Sequence, residues 1–61
     1  MKRRDLVRKL ESMGCEFVRH GGKHDKYWQP ATGFSDQVPR HREIDEHLAR
    51  KIIKKLSPDA E

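Results

Sequence analysis

Residues 19–30 read RHGGKHDKYWQP. Gly21 and Gly22 supply the permissive dihedrals of a tight hairpin turn, so the chain on either side of them reads as two antiparallel strands. Upstream, CEFVRH (15–20) is rich in β-formers and too short for a helix. Downstream, HDKYWQ (24–29) is the returning strand. PATG (30–33) is a second turn signal, and FSDQV (34–38) after it makes a third strand that Pro39 ends.

The flanks change period. Leu6, Val7, Leu10 and Met13 fall at i, i+1, i+4 and i+7, one apolar stripe of a helix with Lys and Arg on its other side. Gly14 stands where a glycine past the last turn would stop it. Leu48, Ala49, Ile52, Ile53 and Leu56 mark a second amphipathic helix, begun at Asp45 or a neighbour and ended by Ser57-Pro58. The predicted order is helix, three strands, helix. A three-stranded antiparallel sheet this small hides both apolar stripes by taking both helices on one face, an α+β fold in one domain over residues 1–61. The other face is left open to solvent.

Composition narrows the functions. Only 33% of the 61 residues are hydrophobic and 39% are charged, which predicts a thin core that a partner protein or self-association would help to stabilise. The single cysteine, Cys15, has no intrachain disulfide partner and reads as a small core residue; no Cys/His spacing resembles a zinc finger. MKRRDLVRKLE is basic without the apolar run of a signal peptide, and no apolar stretch is long enough to span a membrane, so a soluble, cytoplasmic protein is expected. Net charge is +4, concentrated in the front two-thirds of the chain: residues 1–13 carry five basic and two acidic groups, while residues 43–61 carry four and five. That balance favours a polyanionic partner.

Strand alternation assigns His24, Lys26 and Trp28 to the open face, and Asp25, Tyr27 and Gln29 to the helix side. Cys15 and Phe17 are expected to point inward with Tyr27 and Val38. In strand one, Val18 and Phe17 point oppositely and both are apolar, so its register is open. His24 then has two readings. It is a polar turn residue beside solubilising lysines, or it moves protons while Lys23 and Lys26 bind phosphate and Trp28 stacks on an unpaired base. Histidine suits the second task because its ordinary pKa near 6.5 keeps both protonation states accessible around neutrality. A His20/His24/His41 metal site has no carboxylate or cysteine spacing to support it, and the cations nearby oppose a divalent ion. His47 reads as a solvated helix residue.

The order of elements, the small size, GGKHDKY at the hairpin, VPRH after strand three and LARKIIKKL in the last helix resemble the HicA toxins of bacterial type II toxin–antitoxin systems. The similarity covers roughly residues 3–56. It implies a fold like the double-stranded-RNA-binding domain, an mRNA interferase activity with mRNA as substrate, and inhibition by a HicB-type antitoxin that covers the His24 face. The family's catalytic histidine carries over to His24. Many members place a serine just before it; this chain has Lys23, which is placed to contact phosphate instead. No metal or cofactor is required, because RNA brings its own attacking group, the 2′-OH. On this reading His24 is general base or acid, Lys23, Lys26 and Arg40 hold phosphate, and Trp28 and His41 complete the RNA-binding set. His20 and His41 are both candidates for a second proton-transfer group. The alternative is a non-catalytic double-stranded-RNA-binding module, which would bind RNA without cutting it and without need of His24.

Overall fold

A computed structural model describes residues 1–60. Helix α1 (Arg3–Ser12) leads into strands β1 (Glu16–Gly21), β2 (His24–Trp28) and β3 (Ser35–Pro39), and helix α2 (Glu46–Lys55) follows. The strands form one antiparallel sheet in the order β1-β2-β3, with β2 central. The predicted order is correct in every element.

The helix ends follow from local chemistry. Past α1, Gly14 takes φ of +89°, a conformation that only glycine adopts without strain, and the chain turns into β1. Asp45 caps α2, its carboxylate accepting from the Leu48 amide at 3.2 Å. Gly22 takes φ of +54° at the first central position of the two-residue β1–β2 turn, as a II′ hairpin requires.

Both helices contribute to a single core on one side of the sheet. Leu6 and Leu10 of α1 and Ala49 and Ile52 of α2 are fully buried there with Leu56, and Cys15, Tyr27, Val38 and Ile44 complete the cluster. Gln29 seals its end. Its Nε2 donates to the Met13 carbonyl at 2.8 Å and the Leu56 carbonyl at 3.0 Å, and its Oε1 accepts from the Ala31 amide at 3.1 Å. One buried amide thereby ties the carboxyl ends of both helices to the loop after β2.

Phe17 departs from expectation. It pairs with Tyr27 and packs edge-on against its ring at 5.7 Å, so it is on the inner side, but it is 47% exposed because β1 is an edge strand that the helices do not reach. The register explains its neighbours as well. Phe17 opposes Tyr27 and Arg19 opposes Lys26, leaving Val18 as the extra residue of a β-bulge. After the bulge the alternation is reset, so Arg19 joins the open face and His20 the helix side.

Candidate active site

The open face carries a row along β2. His24, Lys26 and Trp28 alternate with buried Asp25 and Tyr27, as strand geometry demands. His24 begins the strand, pairs with Gly21 on one side and Pro39 on the other, and is exposed, with no hydrogen bond to its ring among the described residues. Lys23 is exposed in the hairpin turn one residue earlier. Lys26 and Trp28 line a shallow concavity with Val18 and Ser35. Arg19, opposite Lys26, adds a cation to this face that strict alternation along β1 would have missed.

On the other side of β2 lies an ion cluster around a buried carboxylate. The Asp25 side chain is only 8% exposed and accepts three charge-assisted contacts. The Arg3 Nη2 donates to its Oδ2 at 2.6 Å, while the Arg40 Nε at 2.8 Å and His20 Nδ1 at 2.7 Å meet its Oδ1. The His20 bond, then Arg40, hold the Asp25 carboxyl below its ordinary range, against the opposing effect of burial. An ionised Asp25 only accepts, so His20 Nδ1 is the donor of that bond. Arg3 also donates from Nε to the Pro39 carbonyl at 2.9 Å. Asp25 was legible as an inward-facing residue; its three partners, remote in sequence, were not.

The structure thus separates the histidines. His20 is on the helix side with Asp25, and His24 is on the open face. His41 is exposed in the segment after β3. Arg40 is anchored near His24's end of the sheet, its backbone amide donating to the Lys23 carbonyl at 3.3 Å. Among the described residues, no group of three or more His, Cys, Asp or Glu side chains is arranged to hold a metal, and no helix is long and apolar enough to cross a membrane.

A family model described as the HicA toxin of bacterial toxin–antitoxin systems matches residues 3–57. The chain belongs to the HicA toxin family. The match runs from the first residue of α1 to just past α2, so it takes in the hairpin, the open face and the Asp25 cluster together. As a HicA toxin the protein is one half of a toxin–antitoxin pair. No curated protein and no solved structure matches the chain.

Proposed function

We propose that this HicA toxin is a metal-independent endoribonuclease that cuts mRNA in the cytoplasm, with His24 as a proton-transfer residue. The observation that carries this reading is the row on β2. A histidine, a lysine and a tryptophan stand on one bare face of the sheet, with Lys23 and Arg19 beside them. Lys23, Lys26 and His41 hold the phosphates beside His24. Arg40, whose guanidinium is turned to Asp25 on the helix side, holds phosphate at the sheet end, and Trp28 offers a ring for an unpaired base. The ribose 2′-OH attacks the adjacent phosphorus, the P–O5′ bond breaks, and the products carry a 2′,3′-cyclic phosphate and a 5′-OH. His24 takes the proton from the 2′-OH or gives one to the departing 5′ oxygen. A HicB-type antitoxin inhibits by covering the same face, which also supplies the thin core with a stabilising partner.

The test is to incubate the purified protein with a structured mRNA in EDTA beside a His24→Ala variant. Cleavage by the parent alone, with cyclic-phosphate ends, is the expected result. RNA that is shifted in a gel by both proteins and cut by neither would replace the nuclease with a binding module.

A further inference from the structure

At the end of the sheet where His24 begins β2, the start of α1 and the β3–α2 connection form an open cleft of about 700 Å³ lined by Lys2, Arg3, Arg4, Arg40, Arg42 and Glu43. Five of the six lining residues are cations. The one acid is partly compensated, because Glu43 lies 3.6 Å from the amino group of Met1. Arg3 and Arg40 share Asp25 as a counterion, yet their hydrogen bonds use two and one of the five N–H groups on each guanidinium, leaving the rest to donate. Among the described residues, Lys2, Arg4 and Arg42 have no acidic side chain within salt-bridge distance.

The walls are fixed before any ligand arrives. Lys2 and Glu43 form an isolated antiparallel bridge, the Arg3 amide donates to the Arg42 carbonyl at 2.9 Å, and the Ile44 amide donates to the Met1 carbonyl at 2.7 Å. Like charges held together on a rigid frame have one natural complement, a run of anions. The cleft is also continuous with the His24 end of the sheet: Arg40 belongs to it and bonds the Lys23 backbone, and Arg3 bonds the carbonyl of Pro39, the cross-strand partner of His24.

We infer that this cleft is a second binding site for the RNA strand, in which Lys2, Arg4 and Arg42 hold backbone phosphates several nucleotides away from the bond at His24. The inference rests on the RNA reading proposed above and extends it: the substrate is a strand long enough to reach from the open face around the sheet end to α1. Binding in the cleft recognises phosphate rather than bases, so it adds affinity and salt dependence without adding sequence preference.

The experiment measures binding of a 2′-O-methyl RNA of about a dozen nucleotides, which lacks the attacking hydroxyl, to the parent, to an Arg4→Gln/Arg42→Gln double variant and to a Lys23→Gln/Lys26→Gln double variant. Each phosphate contact on a single strand contributes about 0.7 to the slope of log affinity against log salt. The Arg4/Arg42 variant is therefore expected to lose about 1.4 from the slope and, at 0.1 M salt, about 25-fold in affinity. A dinucleotide, too short to reach the cleft, should bind parent and variant alike. If the Arg4/Arg42 variant keeps the parent's slope while the Lys23/Lys26 variant loses it, the cleft is not an RNA site and the open-face reading stands. If the parent binds no RNA even at low salt, both readings fall.

Discussion

Replacing Gln29 by Glu changes one NH₂ for one oxygen at the most buried polar position of the fold, where the residue is 2% exposed. In the parent the amide nitrogen donates to two carbonyls, those of Met13 and Leu56. A carboxylate there would point an anion at two acceptor oxygens in a site closed to water. The cheaper alternative is to protonate it. From an ordinary glutamate pKa of about 4.3, holding the proton at pH 7 costs about 3.7 kcal/mol. The protonated acid still has one donor where the amide had two, a further cost of about 1 kcal/mol, eased because Leu56 also accepts from the Cys15 thiol at 3.3 Å. The total of about 4–5 kcal/mol compares with a stability of roughly 3–9 kcal/mol for a chain of this length. Urea unfolding followed by the fluorescence of Trp28, the only tryptophan, measures the difference. Because the folded-state pKa is raised, the penalty is largest at neutral pH and shrinks as pH falls toward the unfolded value. The variant should be about 4–5 kcal/mol less stable than the parent at pH 7 and within about 1–2 kcal/mol of it near pH 4. A loss below about 1 kcal/mol at pH 7, or one that does not shrink on acidification, would refute the assigned role of the amide.

Three further outcomes are expected. His24→Ala should lower RNA cleavage by about 10²–10⁴-fold while leaving the urea midpoint unchanged, since the ring is exposed; a shifted midpoint would mark His24 as structural. Asp25 titrates below its ordinary value because of His20 and then Arg40, so its contribution to stability is present above the ordinary carboxylate range and is lost as pH falls through it to the depressed folded value. Melting curves of the parent and of Asp25→Asn should therefore converge on acidification, and a gap that stayed constant down to pH 2 would contradict the ion cluster. Burial raises the pKa of the Cys15 thiol, so a thiol reagent at pH 7 should label the folded protein at the rate of its opening and the unfolded protein at once. Immediate labelling without denaturant would overturn its assignment to the core.

What could be read from the sequence was local. The helix stripes, Gly14 after α1, the Asp45 cap and the Gly22 turn each depend on residues within one or two turns of chain, and all are where the residues put them. The inner and outer faces of β2 followed from a period of two. The period failed in β1, because Val18 is a bulge that no residue type there announces, and Phe17 and His20 consequently share a face despite being three apart. Ile44 joined the core unforeseen because it belongs to neither helix stripe nor strand; the bridge between Lys2 and Glu43 draws it in. The Leu48 of the predicted stripe is 40% exposed, at the margin of the helix face that meets the core.

Asp25 shows why the remainder of the site needed coordinates. In sequence it is an acid between His24 and Lys26, where a solvated position is the default. In the fold it faces the helices, and its partners come from α1, from β1 and from the segment after β3. Two of those three, α1 and the segment after β3, supply Arg3 and Arg40 to the cleft, and Lys23 of the hairpin turn is bonded through its carbonyl to the Arg40 amide. The residue immediately before Asp25 is the candidate catalyst. One carboxylate therefore couples the backbone that carries His24 to the wall that carries the cleft, and the two surfaces are set by the same buried contact. Disrupting Asp25 should disturb phosphate binding on both, whereas changing Arg4 or Arg42, which do not touch it, should disturb only the cleft.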